Sequence, residues 1–187
     1  MLLFYLTSAN NLALSAQQSQ NSKYQSAILA GGCFWGVENL FSKLDGVMET
    51  QAIYTGGVTD NPNYEIVKTG LSGHVEAVKI IFDPQKISYE KILKYFFSIH
   101  DPSQLNRQQN DIGSQYASVI FYSDLDQKKI AEQVILEASN KKIFTKPIVT
   151  KIIKASKIYK AEDYHQKYLQ KNPNGYNCHY QRLEWIF

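Results

Sequence analysis

Four apolar residues, Ala27-Ile28-Leu29-Ala30, run straight into Gly31-Gly32-Cys33-Phe34-Trp35-Gly36. Val37, Leu40, Phe41 and Leu44 then recur at helical spacing. The stretch therefore reads as a strand, a glycine turn and a helix, over Ser26–Ala30 and Phe34–Leu44. It allows little else: a buried strand must feed a helix through a turn that only glycines relax. Cys33 falls at the helix start. There the macrodipole and unpaired backbone N–H groups favour a thiolate over a thiol. Phe34 and Trp35 are placed to wall a small apolar pocket beside the sulfur. The bland alternative is a buried structural cysteine behind a glycine turn.

The remaining segments extend this junction into an α+β chain. Val47–Tyr54 and Val75–Phe82 read as strands, the second stopped by Asp83-Pro84. Ser88 caps a helix to about Ile99, with Ile92, Leu93, Phe96 and Phe97 on one face. Gln115–Tyr122 reads as a strand. Ser123 and Asp126 suit a capping box for a long helix through about Ser139. Ile148–Ile153 is a last strand, and Ala161–Gln170 a short polar helix. The interleaving of strands and helices predicts a two-layer sandwich with a mixed sheet, long loops and an extended C-terminal tail.

With 187 residues the chain suits one domain with a sizeable core. Its 20 Lys and Arg nearly balance 17 Asp and Glu, and no dense basic block occurs, so a nucleic-acid partner is not expected. Residues 1–25 read as a leader, with 26–187 as the domain. Leu2-Leu3-Phe4-Tyr5-Leu6 followed by Ala13-Leu14-Ser15-Ala16 resembles a short signal-peptide core, but no basic residues precede it. Export through this segment and a default cytoplasmic location both stay open. The apolar run is too short to span a bilayer. A monomer is expected.

Two cysteines, Cys33 and Cys178, are too few for a disulfide scaffold and lack metal spacing. They are either unrelated thiols or a redox pair brought together by the fold. Cys178 follows the turn-rich Asn172-Pro173-Asn174-Gly175-Tyr176, where a core residue is out of place. Glu76 alternates with Val78, Ile80 and Phe82, so an apolar strand face would bury it. A carboxyl so buried stays protonated and is a general acid near neutral pH. A solvated Glu76 is the alternative; Lys79 on the opposite parity favours the first reading. Asp111, Tyr116 and Tyr64 lie in loops of Asn110-Asp111-Ile112-Gly113-Ser114-Gln115-Tyr116 and Asn61-Pro62-Asn63-Tyr64. Asp111 suits an acceptor of N–H or thiol hydrogens, and the phenols are neutral donors for an oxygen gaining charge. His74, His100, His165 and His179 show no metal spacing, so no metal is expected.

In this order, and with Gly73-His74-Val75-Glu76, His100-Asp101-Pro102 and Ala161-Glu162-Asp163-Tyr164-His165-Gln166, these segments resemble the A-type peptide methionine sulfoxide reductases. The resemblance runs from Gly31 to about Tyr180 and implies a ferredoxin-like core. It implies that Cys33 attacks the sulfoxide sulfur and that protonated Glu76 serves its oxygen. It implies that Tyr64 and Tyr116 hydrogen-bond that oxygen, while Phe34 and Trp35 cradle the substrate methyl. Asp111 would support this network. Cys178 would then resolve a Cys33 sulfenic acid into a disulfide for thioredoxin, or a small dithiol, to reduce. The implied substrate is the S epimer of methionine sulfoxide, free or in proteins, with no bound cofactor. Gln109 stands where the family usually has Gly, Ala117 where it often has Arg, and no second tail cysteine follows Cys178. A non-catalytic binder of oxidised methionine and a domain stapled by a permanent Cys33–Cys178 bond are the competing classes.

Overall fold

The computed structural model describes residues 23–187. The leader reading over residues 1–22 lies outside them. Strand β1 (Gln25–Gly31), helix α1 (Phe34–Phe41), β2 (Val47–Thr55), short helix α2 (Tyr64–Val67), β3 (Val75–Phe82) and helix α3 (Tyr89–Ile99) follow in order. A two-residue ladder, β4 (Arg107–Gln108) with β5 (Asp111–Ile112), precedes a 3-10 turn at Ser114–Tyr116. Then come β6 (Ser118–Tyr122), helix α4 (Leu125–Asn140), β7 (Lys151–Lys154), β8 (Ile158–Lys160) and short helix α5 (Tyr168–Lys171).

One six-stranded sheet has the order β7-β6-β1-β3-β2-β8. Its centre is the βαββαβ core of a ferredoxin-like fold. The connection through α1 steps over β3, and the one through α3 steps over β1. All pairings are antiparallel except β6 with β7, so the sheet is mixed. Strand alternation sorts the two faces. Leu29, Ala52, Tyr54, Val78, Ile80 and Ile120 join the helices in one core, with Phe34, Phe41, Leu93 and Phe96. Ile28, Ala30, Ile53, Ala77, Val119 and Phe121 form a second cluster on the opposite face. On that second face Gly56 approaches the Phe121 ring so closely that a Cβ there would lie 3.0 Å from it.

Several local predictions shift. Helix α1 ends at Phe41 rather than Leu44; the next residues make only single turns, Leu44 N–H to Phe41 C=O among them. Helix α4 is capped by Asp124, which accepts from the Gln127 N–H at 2.8 Å, and not by Ser123 and Asp126. Gln127 completes a reciprocal cap by accepting from Ser123 N–H at 3.0 Å. The expected strand from Gln115 begins only at Ser118, because Gly113, at φ 145°, opens the 3-10 turn. The strand expected over Ile148–Ile153 runs from Lys151 to Lys154, and it is not the last, since β8 follows it at the other sheet edge. Residues 163–167 form turns, not a helix, and only Tyr168–Lys171 is helical, after Lys167 in the left-handed region at φ 53°.

Two motif histidines act as structural ties. His100, at the end of α3, bonds Phe96 C=O at 2.7 Å and Ser118 Oγ at 2.8 Å, fixing the helix to β6. Burial pushes its pKa down to about 3, so it is neutral. His74 binds Thr59 C=O at 2.8 Å and accepts the Gly57 N–H at 3.2 Å, closing the loop after β2.

Candidate active site

Cys33 is the residue before α1, with its backbone at φ −55° and ψ 123°. It lines a small cavity of about 100 Å³. Phe34 and Trp35 from α1, Tyr64 from α2, and Glu76 from β3 share that cavity. Asp111, Tyr116 and Tyr176 complete it from the loops. A wider polar depression of about 680 Å³ lies elsewhere, beside Asp101, Arg107, Gln109 and Lys146, and holds no thiol. Gln109 thus belongs to that depression rather than to the Cys33 cavity. Its φ of 56° is in the left-handed region, which favours glycine. Ala117 is buried in the second cluster, away from the cavity lining.

The Cys33 thiol does not behave as its helix-start position predicts. Its pKa is raised well above the usual value, first by burial and then by the Glu76 charge. The Trp35 N–H pulls the other way and loses. A dipole stabilises charge by roughly 1 kcal/mol; removing a sulfur almost wholly from water costs more. At rest the group is a thiol.

Glu76 points to the helix side of the sheet and is 2% exposed. It pairs with Tyr54 in the β2–β3 register. Its Oε2 accepts the Phe34 N–H at 3.1 Å, so the carboxyl meets the residue next to the cysteine. Burial raises its pKa to about 8; that single N–H only partly opposes, and the Asp111 charge adds. The carboxyl is therefore an acid that keeps its proton at neutral pH. The phenols of Tyr64 and Tyr116 are held neutral, above their ordinary pKa, by burial and then by the Glu76 charge.

Trp35 and Tyr64 are fixed by a group not singled out from the sequence. The Trp35 indole N–H donates to His165 Nδ1 at 3.0 Å, and its ring stacks on Tyr168 with centroids 3.8 Å apart. His165 packs against Phe34 and Tyr64 as well. Glu162 Oε1 accepts the Tyr64 N–H at 2.8 Å, and its Oε2 accepts the Tyr54 hydroxyl at 2.9 Å. Glu38 of α1 similarly accepts the Lys167 N–H at 2.7 Å, clamping the turn that carries His165. The Glu162-Asp163-Tyr164-His165 run was visible, but metal spacing was the wrong test for it.

Asp111 meets the second cysteine. Its Oδ2 accepts from Cys178 Sγ at 3.1 Å and its Oδ1 from the Tyr176 hydroxyl at 3.1 Å. Cys178 is half-buried, and its charge is close enough to act on Cys33. Burial, then the hydrogen bond and charge of Asp111, push its pKa up to about 12. Both cysteines are free thiols. Tyr176 also escaped the sequence reading; its place after Gly175 and beside Cys178 was the available signal. Among the described residues no group of three or more His, Cys, Asp or Glu side chains is arranged to hold a metal.

A buried thiol, a protonated carboxyl and neutral phenols around one small cavity can take an oxygen atom from a substrate. That arrangement, on this fold, is a thiol oxidoreductase. Residues 25–185 match the family model of peptide methionine sulfoxide reductase. The peptide methionine sulfoxide reductase MsrA of Nocardia farcinica is 45% identical over 159 residues, 85% of this chain and 91% of that one. The crystal structure of Mxr1 from Saccharomyces cerevisiae in reduced form aligns with a TM-score of 0.82 at 34% identity, covering 87% of this chain and 94% of that one. Mxr1 in complex with Trx2 aligns with a TM-score of 0.59 at 25% identity, over 87% and 92% of the two chains. The chain belongs to the peptide methionine sulfoxide reductase family, and within it to the A type.

Proposed function

We propose that this enzyme reduces the S epimer of methionine sulfoxide, free or in proteins, by a two-thiol cycle ending on thioredoxin. The observation that carries the reading is the cavity shared by Cys33, Glu76, Tyr64 and Tyr116. Cys33 Sγ attacks the sulfoxide sulfur while Glu76 gives its proton to the oxygen. The thiol proton restores the Glu76 acid, so no charge is left in the buried site. Tyr64 and Tyr116 donate hydrogen bonds to the oxygen as it gains charge. Phe34 and Trp35 hold the methyl group. Methionine departs and Cys33 becomes a sulfenic acid.

Cys178 then attacks Cys33. The S–O bond breaks, the S–S bond forms and water leaves. A dithiol reduces the disulfide; the yeast relative captured with Trx2 supports thioredoxin in that role. Enzymes of this class act on one epimer each, and the A-type family supports S here. In this reading residues 26–187 make up one reductase domain.

The test is thioredoxin-coupled reduction of separate S and R epimers of an N-blocked methionine sulfoxide, with Cys33→Ser as control. Turnover of S alone, lost in the variant, is the expected result. Turnover of R, or activity retained without Cys33, would sink the reading.

A further inference from the structure

Cys178 is bounded by Asp111, Tyr176 and His179, and His179 has no role in the cycle above. His179 is 2% exposed, buried under the Cys33 turn. Its Nε2 lies 2.7 Å from the Gly31 carbonyl oxygen. A carbonyl only accepts, so Nε2 carries the ring proton. The other nitrogen, Nδ1, is then a bare lone pair, and it sits 3.2 Å from Cys178 Sγ. The backbone of Gly31 thus dictates which side of the ring faces the thiol.

The seat for this ring is cut into the Cys33 segment. A Cβ on Gly36 would lie 2.6 Å from His179 Nδ1 and 2.7 Å from Asn177 Oδ1. A Cβ on Gly32 would lie 3.2 Å from the ring carbon between the two nitrogens. Asn177 Oδ1 accepts the His179 N–H at 3.0 Å and fixes the residue from the other side. The ring is therefore anchored at both ends beside a reacting sulfur.

We propose that His179 is the general base of the recycling step, taking the Cys178 thiol proton through Nδ1 as Cys178 attacks the Cys33 sulfenic acid. This rests on the cycle proposed above. The S–S bond forms, the S–O bond breaks, and the proton taken by His179 leaves with the hydroxide as water. Burial keeps the imidazole neutral, its pKa lowered to about 4, so the lone pair is free. The thiol is too weak an acid to ionise alone, so its proton must leave as the bond forms. The one S–H proton points to Asp111 Oδ2 at rest and turns to Nδ1, 3.2 Å away, for the attack, because the Asp111 charge opposes a thiolate. An imidazolium formed at Nδ1 would face that thiolate with the opposite charge.

The experiment is a single turnover with one equivalent of methionine sulfoxide and no reductant, followed by rapid quench. Methionine release reads the first step, and Cys33–Cys178 disulfide reads the second. His179→Gln retains an N–H donor for Gly31 but presents no lone pair at the Nδ1 position. It is expected to slow disulfide formation by at least about 10-fold, with Cys33 sulfenic acid trapped by dimedone meanwhile. Imidazole should restore the rate in His179→Ala. Methionine release reports that each variant is folded; if His179→Gln fails there, His179→Ala with and without imidazole carries the test. Disulfide formation at the wild-type rate in the variants overturns the assignment. So does slowing by Asp111→Asn alone. A wild-type protein that releases methionine without forming the disulfide overturns the cycle itself, and the assignment with it.

Discussion

The Trp35 indole N–H donates to His165 Nδ1 at 3.0 Å, across 130 residues of sequence. Because Nδ1 accepts, the ring proton is on Nε2, which has no hydrogen-bond partner and faces Glu162 Oε2 at 3.8 Å. Burial lowers the His165 pKa, keeping it in this neutral form. His165→Leu would leave a buried indole N–H unpaired at a cost of about 1–3 kcal/mol. The melting temperature should fall by roughly 2–10 °C, and KM should rise more than kcat falls. Unchanged KM in steady-state assays would mean that Trp35 does not depend on this acceptor.

Glu76 is expected to trade stability for catalysis. Its folded pKa, about 8, lies above the ordinary 4.5. The sign follows: the contribution is fully present below pH 4.5 and is lost as pH rises to about 8, because the unfolded chain ionises first. Glu76→Gln should remove this loss, leaving the variant more stable above pH 8 by up to about 5 kcal/mol. The same variant should lose at least about 100-fold in turnover. Denaturant unfolding from pH 4 to 9 checks the first expectation; parallel pH profiles would contradict it.

Tyr64→Phe and Tyr116→Phe each remove one donor from the cavity. Each should lower kcat by about 10- to 100-fold, and the double variant by more than either. Methionine-release rates in single turnover measure this directly. Two phenylalanine variants with wild-type rates would leave the oxygen to Glu76 alone.

Cys178→Ser should release one methionine per chain and then stop with thioredoxin. Counting product against protein in a burst assay tests it. Steady turnover on thioredoxin in this variant would remove Cys178 from the cycle.

Gly36→Ala probes the contact between α1 and the tail. The added methyl meets His179 and Asn177, whose side chains must move aside. Disulfide formation should slow several-fold while methionine release is kept. Equal effects on both steps would place the damage at Cys33 instead.

What the sequence reveals here divides by range. The strand–turn–helix at Cys33 is legible because apolar spacing and glycine placement are local. Glu76 is legible because strand alternation assigns its face. The Cys33 ionisation state is not, since position at a helix start says nothing of how much water the fold removes. Nor are the partners of Trp35 and Cys178: His165 comes from a distant turn, and the meaning of His179 depends on Gly31. Strand β8, of three residues, is too short for any periodicity. The helix expected over Ala161–Gln170 fails because its polar side chains, Glu162 and Gln166 among them, bond to β2 and Tyr64 instead of pairing along a helix.

Strand β3 pairs with β2 from Val75 to Phe82 and with β1 from Val78 to Phe82, so its middle and far end have neighbours on both sides. Its amides should therefore be among the last to exchange with deuterated water. Residues 176–182 belong to no helix or strand; apart from buried His179 and Arg182, whose N–H groups are bonded, their amides should exchange earlier. The two halves of the chemistry then keep different clocks. In the proposed cycle the proton donor sits on a sheet strand, and the thiol that would meet a reductant sits on a tail without regular structure.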